Sequence, residues 1–245
     1  MTALTLDVRA PIVVLAGDFN AAIFQLGWVG THLFGMPEGA EIQAQEVVIQ
    51  ADVGLLQLLF LEGVALNVTP TRIELFAVDS QPATLSKVEE VLGRIVEVLP
   101  HTPIRAIGCN FQYTDAEPDP TVMDLFDTPE AIEAEYRVTA RQASVQVELD
   151  NSILNFTRAS SGNAVRFIFN YHRAESEIAA YAAFIPGLVA RNLEHSAAFV
   201  RSLYRYDGYA TVGFFTAREQ EDIADANETA PPRALAHEQN GQDQP

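Results

Sequence analysis

Cysteine is almost missing from this chain: Cys109 is the only one in 245 residues. That excludes an internal disulfide and a Cys-rich zinc site, and a self-sufficient core in a reducing compartment is expected. Basic residues are scarce as well, 15 against 33 acidic for a formal net charge of -18. Such a surplus repels phosphate backbones at long range and argues against nucleic acid as a partner. Long apolar runs are also missing. The two longest, Val53 to Leu66 and Ile178 to Ala190, are broken by Gln57 and Glu62 and by Pro186 and Gly187. Both fall short of the roughly 20 residues a helix needs to cross a bilayer. Met1 to Pro11 has neither the basic nor the apolar region of a secretory signal. The expected setting is cytoplasmic, away from membranes.

The usual catalytic signatures are absent: there is no G-x-S-x-G elbow, Walker loop, H-E-x-x-H or paired C-x-x-C. One short stretch does carry a signature. Gly17-Asp18-Phe19-Asn20 resembles the G-D-F-N segment of the endonuclease/exonuclease/phosphatase superfamily. The resemblance implies that Asp18 helps to activate water and that Asn20 contacts a phosphate. The superfamily also uses a magnesium-binding Glu far upstream and a late His paired with Asp. Only sixteen residues precede Gly17, and none of His32, His101, His172, His195 or His237 stands in an S-D-H context. Phosphoryl cleavage needs both an activated nucleophile and positive charge on the leaving oxygens, which Asp18 and Asn20 cannot supply together. A local turn is expected here, with Asp18 or Asn20 bonded to its own backbone. Asp115-Ala116-Glu117-Pro118-Asp119 alternates carboxylates as a calcium loop does. With Pro120 at the sixth position and Phe126 at the twelfth, it is not an EF-hand. No metal and no cofactor are expected.

What is present is a sizeable stock of core residues, 48% hydrophobic, arranged with two periods. Period-two segments at Ile12–Leu15, Phe19–Phe24, Ile42–Ile49, Leu55–Leu61, Ala65–Val68 and Arg72–Val78 read as strands, with Thr69-Pro70-Thr71 as a turn. From Thr84 to Leu99 the stripe Leu85, Val88, Val91, Leu92, Ile95 and Leu99 reads as a helix, with Ser86 and Glu89 as its capping box and Pro100 as its stop. A further strand, Ile104 to Tyr113, puts Cys109 on its apolar face as a buried structural thiol. Tyr136–Leu149, Ile153–Thr157 and Ala164–His172 read as an antiparallel meander. A phase slip between Ala140 and Ala143 suggests a bulge. Glu175 to Tyr204 reads as a helix kinked or split at Pro186-Gly187.

These elements predict an α+β protein of two modules, each a mainly antiparallel sheet with a packing helix. The expected boundaries are a strand-rich module at 1–114 with one amphipathic helix, an acidic linker at 115–135, a meander with a long kinked helix at 136–206 and an acidic disordered tail at 207–245. Charge is unevenly spread: residues 1–133 hold 5 basic and 19 acidic side chains, 134–205 hold 8 and 6, and 206–245 hold 2 and 8.

The middle segment is an Arg-bearing island. Arg166, Asn170 and His172 fall on one face of their strand, with Arg137, Arg141 and Arg173 as neighbours able to receive a carboxylate. The expected function is a non-catalytic protein-binding or assembly module that uses this face or the sheet edges, with a protein partner or self-association. The alternative is a small-molecule-binding protein or metal-independent enzyme. Its pocket would form in the glycine-containing loop Gly27 to Gly35, lined by Trp28, His32 and Phe34.

Overall fold

One strand holds the molecule together. In β7 (Ile104–Asp115), Ile107, Cys109, Phe111 and Tyr113 enter the core, while Asn110, Gln112 and Thr114 take the opposite face, as the two-residue period of a strand dictates. One side of β7 pairs antiparallel with β10 (Ala164–Arg173) from Ile107 to Asp115. The other side meets β2 (Val13–Gly17) along its first half and β1 (Leu4–Asp7) near its end. The computed structural model describes residues 4–42, 45–51, 54–126, 132, 135–150, 152–175 and 177–213, with the backbone alone for 45–51 and 54–60.

The remaining strands are β3 (Gln45–Ala51), β4 (Gly54–Leu61), β5 (Val64–Val68), β6 (Arg72–Ala77), β8 (Ala140–Leu149), β9 (Ser152–Ser161) and β11 (Tyr209–Val212). Together they form an 11-stranded sheet in the order β3-β4-β5-β6-β2-β7-β10-β9-β8, with β1 linking β7 to β11. Only β1 and β11 run parallel among these pairs. The two strand groups on either side of β7 are thus halves of one sheet, and residues 1–214 form one compact unit.

Turn chemistry closes the hairpins. Glu62 and Gly63 both have positive φ, 49° and 78°, between the paired residues Leu61 and Val64. That is the demand of a two-residue type I′ turn. The β5–β6 turn at Thr69-Pro70-Thr71 closes with Thr69 N–H donating to Arg72 O at 2.8 Å.

Helices α2 (Pro82–Val98) and α5 (Leu188–Tyr204) cover the core face of the sheet. The α2 stripe is buried as its spacing requires: Leu85, Val88, Val91, Leu92, Ile95 and Val96 are all inside. Each such side chain contributes roughly 1.5–3 kcal/mol by leaving water. On the α5 side the core is aromatic. Phe156 of β9 lies 4.8 Å from Phe199, and Phe167 of β10 lies 4.4 Å from Tyr204. Further short α-helices among the described residues are α1 (Leu26–Leu33), α3 (Pro120–Met123) and α4 (Ala179–Ala182). Gly187, at φ 70°, is the N-cap of α5, so the helix expected from Glu175 is split at Pro186-Gly187. No helix among the described residues is long and apolar enough to cross a membrane.

Several local expectations are corrected. Phe19–Phe24 is no strand but a turn with a 3-10 helix at Ala21–Ile23. Of the expected loop Gly27 to Gly35, all but Phe34 and Gly35 is helix α1. Within the helix, position 30 suits glycine because a Cβ there would lie 2.5 Å from Ile42 Cδ1, and Gly35 at φ +69° follows the helix end. The α2 helix begins at Pro82 after Gln81, without the Ser86–Glu89 capping box. β8 begins at Ala140 and keeps an unbroken register with β9 to Leu149, so no bulge is needed. Tyr136 and Val138, which set the apparent phase slip, precede the strand. The tail expected from 207 is corrected over its first residues, because Tyr209–Val212 is strand β11 and Tyr209 packs 5.4 Å from Tyr113. The rest of that tail, 214–245, lies outside the described residues, as does most of 127–134 in the expected linker.

Candidate functional site

The Gly17-Asp18-Phe19-Asn20 stretch is a tightly bonded turn. A Cβ at Gly17 would lie 2.6 Å from Pro103 O, so the strand end admits only glycine without rearrangement. Asp18 accepts from Arg105 Nη1 at 2.8 Å, and Arg105 Nη2 donates to Gly17 O. Asn20 Oδ1 accepts from Ala22 N–H at 3.1 Å, capping the 3-10 helix. Both polar side chains are occupied in holding the turn, as expected for a local role. Among the described residues no group of three metal-ligating side chains comes together.

The aromatic trio of α1 is dispersed by the helix. Trp28 and His32, four residues apart, share one side with ring centroids 4.9 Å apart, and Phe24 meets Trp28 edge-on at 5.2 Å. Trp28 is half-buried against the core and His32 is exposed. Phe34 is buried elsewhere, under the Lys87 ammonium at 5.4 Å.

Nor do the arginines form one surface. Arg166, Asn170 and His172 do share the face of β10 turned away from the core, as their alternation implies. Arg141 lies on the opposite face, in the row of Ala143 and Val145. Arg173 also takes the core side, where its guanidinium stacks 4.7 Å over Phe184 and pairs with Glu175 at 2.6 Å. Arg137 is exposed ahead of β8. His172 lines an open cavity of about 440 Å³ with Glu148, Asp150, Arg173 and Glu175.

Asn170 belongs instead to a row of amides. Gln146 Nε2 donates to Asn155 Oδ1 at 2.9 Å, Asn155 Nδ2 to Asn170 Oδ1 at 3.0 Å, and Asn170 Nδ2 to Asn110 Oδ1 at 2.6 Å. Asn110 Nδ2 ends the row on Pro11 O. Four strands, β8, β9, β10 and β7, each place one amide at the same level. Asn110, Asn155 and Gln146 were not singled out from the sequence. The available signal was an Asn or Gln in each strand, with two candidates of the same parity in β7 (Asn110, Gln112) and in β8 (Gln142, Gln146), so the row becomes readable only once the registers are known.

The outermost strand of this row is the most open element described. β8 pairs with β9 along its length, and it ends the sheet path on that side. Every residue from Gln142 to Glu148 is exposed. Val145 and Val147 extend the core face beyond the cover of α5 with 55% and 38% of their surface in water, and Leu203 on α5 is 60% exposed.

Chemistry by the buried polar groups is not favoured by their environment. Cys109 is 1% exposed, and burial pushes its thiol up to about 12, away from the thiolate a nucleophile needs. Tyr113 shares a 2.8 Å hydrogen bond with Ser196, and Tyr171 one of 2.7 Å with His195 Nδ1. Burial also raises both phenols. These contacts fasten α5 to β7 and β10. No protein-family model matches the chain, and no curated protein matches it significantly.

Proposed function

We propose that this chain is a non-catalytic protein-binding or assembly module whose partner adds a strand to β8. The observation that carries the reading is the state of that edge. A strand at the end of a sheet offers unpaired N–H and C=O groups to any extended chain, and natural edges are commonly blunted by lysine, proline, a bulge or a covering element. Among the described residues, β8 holds none of these between Gln142 and Val147. It has no charge, no proline and an unbroken register, and its side chains are exposed. Backbone pairing supplies affinity in strand addition, and alternate side chains supply selectivity. Here Val145 and Val147 would take apolar residues, while Ser144 and Gln146 would take polar ones. The buried thiol of Cys109 accords with a reducing, cytoplasmic compartment.

The test is a photocrosslink. Protein carrying photoreactive benzoyl-phenylalanine in place of Val145 is irradiated in extract of its own cells. A discrete protein adduct, lost when Val147→Lys is added, is expected. Failure to form an adduct with any protein, itself included, would remove the reading.

A further inference from the structure

Resting on that reading of β8, we infer that its partner is a second copy of this chain, paired antiparallel through β8 about a two-fold axis at Gln146. Opposite residues of an antiparallel pair point to the same face, so a two-fold axis through the edge must set like parity against like. Three central registers satisfy this. Centring on Val145 places Arg141 opposite Leu149 of the second copy, and centring on Ser144 places Arg141 opposite Val147. Centring on Gln146 avoids both. Val145 then faces Val147 of the second copy, Ala143 faces Leu149, Ser144 faces Glu148 and Gln146 faces itself.

The same register continues a feature already present. The amide row from Asn110 through Asn170 and Asn155 ends at Gln146 on the edge strand. Gln146 opposite Gln146 would join two such rows into one of eight amides across a common sheet. A primary amide suits this because it both donates and accepts, so a symmetric pair satisfies itself. Val145 and Val147, exposed side by side on the core-side face of the edge strand, supply the apolar surface that hydrogen bonds alone would lack.

Charge distribution favours a second copy at this edge. A chain of net charge -18 repels itself over most of its surface, but residues 134–205 hold 8 basic and 6 acidic side chains. The copies would therefore meet where repulsion is least. Their remaining acidic surfaces oppose association at low ionic strength, so added salt should strengthen the dimer by screening them. An Arg-to-acid contact would show the reverse dependence.

The experiment uses the full chain. Sedimentation at two protein and two salt concentrations should show a concentration-dependent dimer of the 26.8 kDa chain, tighter at higher salt. Val145→Lys should weaken it at least tenfold, with an unchanged circular dichroism spectrum confirming that the variant is folded. The register is read separately by oxidation. Cys109 is buried, so Gln146→Cys introduces the accessible thiol and should give a covalent dimer, whereas Ser144→Cys should give far less. A monomer under every condition, or equal crosslinking by the two cysteine variants, would overturn the inference. In that case a photocrosslink from position 145 to a different protein would still support strand addition at β8, so the two proposals fail separately.

Discussion

The carboxylate of Glu89 on α2 accepts the backbone N–H of Val189 at 2.7 Å and that of Ala190 at 3.1 Å on one oxygen, and that of Gly187 at 2.8 Å on the other. One side chain thus caps a helix that begins about a hundred residues later. The first N–H groups of α5 have no partner within the helix, and a negative charge there also meets the positive end of its dipole. Glu89→Ala is expected to cost about 2 kcal/mol, the scale of a lost cap with charge-assisted hydrogen bonds. Glu89→Gln should cost less, since one amide oxygen can still accept. Urea unfolding of the three proteins checks the order.

Within the amide row, position should decide the cost. Asn170 is half-buried and bonded on both sides, so Asn170→Ala leaves Asn110 and Asn155 each short of a partner and is expected to cost about 1–3 kcal/mol. Gln146 is exposed, water replaces its bond, and Gln146→Ala should change monomer stability by less than about 0.5 kcal/mol. Equal losses at the two positions would contradict this account of the row. The comparison requires protein concentrations at which both variants are monomeric.

At the turn after β2, Gly17→Ala should be the damaging change, because the new Cβ would meet the backbone oxygen of Pro103 at 2.6 Å. Asp18→Ala removes an ion pair with Arg105 whose side chains are 62% and 56% exposed, worth about 0–1 kcal/mol. Asp18→Ala and Asn20→Ala are further expected to leave no magnesium-dependent phosphodiesterase activity to lose. A phosphodiester hydrolysed by the wild type but not by Asp18→Ala would show that the turn is catalytic after all.

Stability should fall on the alkaline side. Burial raises the Cys109 thiol from 9.0 to about 12, while the unfolded chain releases that proton near 9. Between these values the unfolded state binds fewer protons than the folded one, so this contribution is fully present below pH 9 and is lost as pH rises toward 12. The raised phenols of Tyr113 and Tyr171 act with the same sign at higher pH. Urea midpoints that decline above pH 9, with a smaller decline in Cys109→Ser, are expected. A thiol reagent should accordingly label Cys109 only as fast as the protein opens.

The sequence by itself determined those features that are stated within a few residues. The stripe from Leu85 to Ile95 is a helix because neighbours at three and four positions share a face. Val165, Phe167, Phe169 and Tyr171 face the core because a strand alternates, and Pro186-Gly187 divides a helix because proline lacks the donor and glycine takes a positive φ. Thr69-Pro70-Thr71 announced its turn for the same reason. Glycine obscured α1, since Gly27 and Gly30 read as a loop until the close approach of Ile42 explains one of them. The tertiary structure alone decided what each element meets. That β7 joins both strand groups, that β11 returns to lie beside β1, and that Arg141 and Arg166 fall on opposite faces all depend on pairing registers between distant segments. The amide row and the Glu89 cap are likewise contacts between segments far apart in sequence. Their residues carry no local mark because Asn and Glu suit an exposed strand or helix equally well. The open edge at β8 has the same origin: a strand's own residues specify its alternation, whereas being last in the sheet depends on where every other strand has paired.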